Sequence, residues 1–276
     1  MTFLQFIGEP IITNPIQAVL AIIFSFFVGI LSSALGVGGG FITTPSLMIM
    51  NIDGAYAIGT ALFMIIFTAL SSTLAYSRQS GLIEYRSGIL IATTTIIGAI
   101  LGSITSSILA IEDPQLFKIV FAVCLIPIAI KMIVYPKERR KTSSTEEEIE
   151  HDDVVWYGYE KREIYSTILG LVAGFSSGLL GIGGGVVMVP ILVTVGKIPM
   201  HKAVATSMFI MIFTSIAGAG VKFTQGYAHP DLALFLIIGI ILGAQVGARL
   251  VKKVNTIHLQ RIFGFMMIIA LISIVL

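Results

Sequence analysis

The stretch GVGGGF at residues 36–41 places glycines at 36, 38, 39 and 40 in the middle of a strongly apolar segment. Each glycine costs a helix interior about 1 kcal/mol relative to alanine, so a membrane helix running straight through this stretch is a poor reading. A second copy, GIGGGV at 181–186, keeps the same spacing. In both copies a proline, Pro45 or Pro190, follows the third consecutive glycine by five residues. Close helix packing needs isolated small residues, not three in a row. The pattern predicts a chain that turns inside the apolar layer.

The composition sets the class. Of the 276 residues, 56% are hydrophobic and 12% charged, and the mean hydropathy is +0.97. Soluble domains carry about 25% charged residues. The fold class expected is therefore all-α: a polytopic helical membrane protein, with the lipid bilayer as its main partner. Long continuous apolar runs argue against a barrel of short alternating strands. The opening residues, MTFLQFIGEPIITNP, lack the basic start and cleavage site of a secretory signal, so the first apolar segment is expected to be retained. Cys124 is alone in an apolar run and reads as a small buried hydrophobe. His151, His201, His229 and His258 have no metal-ligand spacing. No metal, cofactor or nucleic-acid partner is expected, whereas a homo-oligomer is compatible with the sequence.

On either side of residues 136–163 the chain repeats itself. GVGGGFITTP (36–45) aligns with GIGGGVVMVP (181–190), and AIGTALFMIIFT (57–68) with AVATSMFIMIFT (203–214). The first repeat is read as 1–135, with a hairpin at 16–50 and helices at 55–76, 88–110 and 116–135. The second is read as 164–276, with a hairpin at 165–196 and helices at 202–222, 231–250 and 257–276. The segment between them is polar and blockwise charged and reads as an extramembrane linker.

The glycine motifs decide the topology. If each short apolar piece merely continues its predecessor, the basic residues divide almost evenly between the two faces. If each motif is the tip of a re-entrant hairpin, every lysine and arginine except Lys118 and Lys222 falls on one face. Basic residues collect on the cytoplasmic side, which favours the hairpins. Each half then crosses the membrane an odd number of times, so the repeats are inverted. The linker would be cytoplasmic and both termini extracytoplasmic.

Re-entrant backbone at membrane depth survives only where protein or a wet cavity satisfies it, and inverted repeats with interrupted helices are a frequent transporter construction. A helix N-terminus presents bare N–H groups and roughly half a positive charge. Two of them meeting at the symmetry axis would hold one small anion with no buried lysine or arginine. The expected donors are the amides of Gly38, Gly39, Gly40, Gly183, Gly184 and Gly185, surrounded by the hydroxyls of Ser33, Thr43, Thr44, Thr60, Ser177, Thr206 and Ser207. Gln245, whose counterpart is Ile100, reads either as a selectivity residue or as helix-to-helix glue. The glycines at 98, 102, 170, 174, 178, 239, 243 and 247 read as packing sites. Catalytic residues are not expected: no HExxH, no internal aspartate pair and no histidine at depth accompany the serines.

With GVGGGF and Pro45, GIGGGVVMVP, and the AIGTALF and AVATSMF segments in register, the chain resembles the sulfite exporter TauE/SafE family over almost its whole length. The resemblance implies a membrane transporter whose cargo is a small sulfur-containing anion, such as sulfite or an organosulfonate like sulfoacetate. It points to the cytoplasmic membrane of a prokaryote. A passive anion channel, or a proton-coupled importer of sulfur oxyanions, would share these sequence features.

Overall fold

The computed structural model describes residues 15–79, 81–112, 161–227 and 230–250, with the single positions 115, 119, 130 and 268. The expected helices at 116–135 and 257–276 and all but the last residues of the linker lie outside these. Among the described residues there are eight helices and no strand: α1 (Pro15–Leu35), α2 (Gly40–Ile49), α3 (Gly54–Ser77), α4 (Tyr85–Glu112), α5 (Lys161–Leu180), α6 (Gly185–Thr194), α7 (Met200–Thr224) and α8 (Pro230–Leu250). The linker was expected to run to 163, but the helical backbone of α5 already begins at Lys161. Five of the helices (α1, α3, α4, α7 and α8) are long and apolar enough to cross a bilayer. The chain is a polytopic helical membrane protein.

The short helices stop where the backbone reverses. Asn51 after α2 has φ 60°, a conformation that asparagine tolerates better than most residues. The Ile52 amide then reaches back to Leu47 O at 3.1 Å, closing the last turn. After α6, Lys197 plays the part of Asn51 with φ 51°.

Glycine stripes make two close pairs. A Cβ on Gly98 would fall 2.7 Å from Phe175 N, and one on Gly102 would fall 2.8 Å from Leu179 N. Higher numbers on α4 meet higher numbers on α5, so the two run parallel. Gly239, Gly243 and Gly247 press in the same way against the backbone carbonyls of Ile22, Phe26 and Ile30 in turn, which makes α1 and α8 parallel as well. Here glycine replaces any side chain so that two backbones can touch, the usual device where lipid offers no hydrophobic drive for helix association.

Between these pairs lie α3 and α7, which are each other's repeat counterparts. Glu84 N–H, immediately before α4 in the turn that follows α3, donates to Thr206 Oγ1 near the start of α7 at 3.0 Å. At the opposite end a Cβ on Gly59 would lie 3.2 Å from Lys222 Cβ. The two helices therefore run antiparallel. The packing also interchanges when the halves are swapped: α1 on α8 matches α5 on α4, and α3 on α8 matches α7 on α4.

The outer surface suits hydrocarbon. Ile16, Val19, Leu20, Ile23 and Phe27 form one helical stripe on α1, each between 48 and 66% exposed. An apolar face of that extent belongs against lipid or another protein. Arg78, Arg86, Lys197, Lys202 and Arg249 gather at the end defined by the C-termini of α3 and α8 and the N-termini of α4 and α7.

Candidate functional site

Neither glycine motif lets its helix run on. A Cβ on Gly39 would stand 3.2 Å from Val28 Cγ1 and 3.3 Å from Ser32 Oγ. One on Gly184 would stand 3.1 Å from Ala173 O and 3.2 Å from Ser177 Cβ. Val28 precedes the end of α1 at Leu35, and Ala173 the end of α5 at Leu180, by the same interval. At 1.5 Å per residue that is about 10 Å, so each loop has doubled back beside the helix it left. Glycine is required here by backbone conformation: φ is 85° at Gly38, 82° at Gly39, 80° at Gly183 and 75° at Gly184.

The two loops interlock. Thr44 Oγ1 donates to Gly181 O at 3.1 Å, and Ser207 Oγ donates to Gly36 O at 2.9 Å. Each loop's first carbonyl is thus satisfied by a hydroxyl from the opposite half. Ile65 and Met211, counterparts on α3 and α7, pack against both loops. A Cβ on Gly183 would lie 3.1 Å from Ile65 Cδ1 and 3.3 Å from Met211 Cε, and one on Gly38 would lie 3.2 Å from Ile65 Cγ2. All ten residues of the two loops, 36–40 and 181–185, are buried.

The amides at the two tips are the chemical content of the site. Gly39 is the N-cap of α2 and Gly184 that of α6, and no side chain caps either end. Intrahelical bonding begins with Ile42 and Thr43 N–H to Gly39 O, both 3.1 Å, and with Val187 and Met188 N–H to Gly184 O, 3.1 and 2.8 Å. The amides of Gly38, Gly39, Gly40, Gly183, Gly184 and Gly185 have no acceptor among the described residues. Buried N–H groups are rarely left unmatched, and two uncapped helix ends add roughly half a positive charge each. An anion would satisfy both demands.

The hydroxyls sort into groups. Ser33 and Ser177 are fully buried, and their hydroxyl oxygens have no hydrogen-bond partner among the described residues. Thr43 donates to Gly39 O at 3.2 Å, and Thr44 and Ser207 lock the loops. Thr206 accepts from Glu84 N–H, toward the basic end. Thr60 is fully buried and is bonded within the protein. Gln245 Nε2 donates to Ser71 O at 2.9 Å and to Ser71 Oγ at 3.1 Å, tying α8 to α3. It also lines a cavity of about 230 Å³ with Ala75, Arg78, Gln79 and Arg249.

Two features went unread in the sequence. Ser32, not Ser33, is the counterpart of Ser177. It is fully buried, has no partner for its hydroxyl among the described residues, and stands beside Gly39 as Ser177 stands beside Gly184. Carrying the repeat offset one helix further would have found it. The second feature is Lys222, read from the sequence as lying on the face opposite most other basic residues and found 0% exposed. Its place near a segment end suggested an interfacial residue, but α3 and α4 close over it.

The comparisons with known proteins agree with this architecture. The family model described as sulfite exporter TauE/SafE matches residues 21–274. A protein of Bacillus subtilis (strain 168) named "Probable membrane transporter protein YunE" is 30% identical over 262 residues, covering 91% of this chain and 94% of its own. "Probable membrane transporter protein MJ0441" of Methanocaldococcus jannaschii is 31% identical over 258 residues, covering 87% and 89% respectively. A third relative, "Probable membrane transporter protein MamO" of Paramagnetospirillum magneticum, is 25% identical over 260 residues, which are 86% of this chain and 41% of that protein. No solved structure matches the chain significantly. On the family match, which spans both glycine loops and both halves, the chain belongs to the sulfite exporter TauE/SafE family of membrane transporters.

Proposed function

We propose that this chain is a secondary transporter that moves a small sulfur-containing anion, sulfite or an organosulfonate such as sulfoacetate, outward across the cytoplasmic membrane of a prokaryote. One observation carries the reading: two uncapped, glycine-tipped helix ends from opposite halves are locked together, each with an orphaned serine hydroxyl beside its N-cap. Such a site recognises a compact anion by amide and hydroxyl donors and asks for no metal or cofactor. The family's description supplies the sulfur oxyanion.

The antiparallel course of α3 and α7 supports reading the halves as inverted repeats, each a hairpin followed by membrane-crossing helices. The cluster of basic residues at one end supports placing that end, and with it the 136–163 linker, in the cytoplasm. Both termini then face outward. The cavity lined by Arg78 and Arg249 would draw anions to the inner mouth. Export fits the charge inventory. Asp53 and Glu84 stand at helix boundaries rather than mid-span, and proton-coupled carriers generally bury a carboxylate. A negative interior already drives an anion outward by about 2.3 kcal/mol per charge per 100 mV.

Proteoliposomes holding the purified chain test this with sulfite, sulfate, thiosulfate and sulfoacetate. Saturable sulfite or sulfonate flux, accelerated by anion on the far side, is the expected result. Large unitary currents without such acceleration would make the protein a channel. Failure to move any of the four would refute the cargo.

A further inference from the structure

Lys222 is buried in the last turn of α7 without a countercharge among the described residues. Its Nζ donates to Ser107 Oγ on α4 at 2.7 Å and stands 5.7 Å from the centre of the Tyr227 ring. Ser107 in turn donates to Gln225 Oε1. No carboxylate among the described residues pairs with this ammonium; the ion pair found there joins Lys202 to Glu84 at the other end. One turn before Lys222, a Cβ on Gly218 would lie 3.1 Å from Ser103 Oγ, a fully buried hydroxyl with no partner among the described residues. A buried cation and an orphaned hydroxyl together are costly to fold around and need a ligand to offset them. An ionisable side chain inside a membrane bundle commonly marks an ion pathway.

Position says what the ligand does. Lys222 lies on the same helix as Met211, which packs against both glycine loops, and is eleven residues beyond it. That interval is about 16 Å along the axis, too far for one small anion to touch both places. Its repeat counterpart is Tyr76, equally buried on α3 at the basic end, where the hydroxyl donates to Ser33 O at 2.7 Å. The pseudo-symmetric frame thus holds a phenol on one side of the centre and, on the other, an amine with no carboxylate partner among the described residues. The asymmetry is in charge, not in packing.

We infer that Lys222, with Ser107 and the free hydroxyl of Ser103, forms a second binding station for a small oxyanion, placed between the glycine loops and the end of the bundle opposite the basic cluster. This rests on the anion-transport reading above. An anion leaving the central amides would next meet the ammonium, which replaces the hydration it lost on entering. Tyr76 offers no such attraction at the equivalent position on the other side, so the second station stands only on the path away from the basic end.

The experiment uses full-length protein, with Lys222→Gln, Lys222→Met and Ser107→Ala variants, and sulfite as the probe. The expected result is that both lysine variants keep or raise the wild-type thermal midpoint in sulfite-free detergent. Their sulfite flux in proteoliposomes should fall at least tenfold, while Ser107→Ala raises the half-saturating sulfite concentration several-fold. Lysine variants that unfold, or that fold and transport like wild type, would overturn the station. Wild-type protein that neither transports sulfite nor is stabilised by it would refute the transport reading, and the station with it. Wild type active beside unchanged variants would remove the station alone.

Discussion

Gly39 and Gly81 have nearly the same backbone conformation, φ 82° and φ 75°, in very different surroundings. Alanine at either position carries the left-handed penalty, about 1–2 kcal/mol. At Gly81 the added methyl meets nothing within 4 Å. At Gly39 it meets Val28 Cγ1 at 3.2 Å, Ser32 Oγ at 3.3 Å and Ile240 Cδ1 at 3.4 Å, all side-chain atoms that can yield by a few tenths of an ångström. Both variants should therefore fold, with similar losses. Function should separate them, because the Gly39 methyl fills the space between the N-cap amide of α2 and the orphaned Ser32 hydroxyl. A partly buried helix N-terminus contributes up to about 2 kcal/mol to an anion, and tenfold in affinity is 1.4 kcal/mol. Gly39→Ala should then raise half-saturating sulfite by roughly thirtyfold, and Gly81→Ala should leave it within about twofold. Proteoliposome flux gives the first quantity, and reversible unfolding in mixed detergent the second. If Gly39→Ala transports as well as Gly81→Ala at equal stability, the anion does not bind at the α2 tip.

Ser32→Ala and Ser177→Ala remove hydroxyls that have no hydrogen-bond partner among the described residues, so stability should be unchanged or slightly higher while sulfite affinity falls several-fold; unfolding curves and flux read the two effects. Gly98→Leu places a side chain where even a Cβ lies 2.7 Å from Phe175 N, so the α4–α5 pair should separate and no folded protein should survive detergent extraction. Glu84→Ala breaks an ion pair whose partners are each 40% exposed, and such pairs contribute less than about 1 kcal/mol. Its effect on the unfolding midpoint should be small and should vanish at high salt. Gln245→Leu leaves Ser71 O without its 2.9 Å donor, so α8 should loosen from α3 by about 1 kcal/mol.

What the sequence disclosed and what it concealed follow one rule: linear patterns are visible and facing partners are not. The turns at GVGGGF and GIGGGV were legible because three successive glycines have a conformational meaning wherever they occur, and the observed φ values supply it. The packing glycines were legible from their spacing. Ser32 and Ser33 differ by 100° around α1, and only the three-dimensional neighbour, Gly39 for Ser32, tells them apart. The two roles weighed for Gln245 differ in whether a partner stands opposite, and Ser71 on α3 is invisible from α8 alone. Lys222 misled for a related reason. Nearness to a helix end usually means solvent, and Phe223 and Thr224 beside it are exposed, but the Lys222 side chain turns inward to Ser107 on α4.

The antiparallel meeting of α3 and α7 explains why a symmetric frame can serve a directional task. Two counterpart helices crossing head to tail place equivalent positions at equal distances from the loops, on opposite sides. A substitution in one half alone then changes one route and leaves the other as it was. Tyr76 and Lys222 are such a pair, both fully buried and each bonded to a single oxygen, Ser33 O at 2.7 Å and Ser107 Oγ at 2.7 Å. Exchanging them, as Tyr76→Lys with Lys222→Tyr, moves the cation to the basic side while roughly keeping side-chain size. If charge placement sets direction, the double variant should bind sulfite at the loops with unchanged affinity. Its ratio of outward to inward flux, measured at zero membrane potential with equal sulfite load on either side in turn, should fall below that of wild type. An unchanged ratio in a stable exchange variant would mean that the direction comes from the voltage alone.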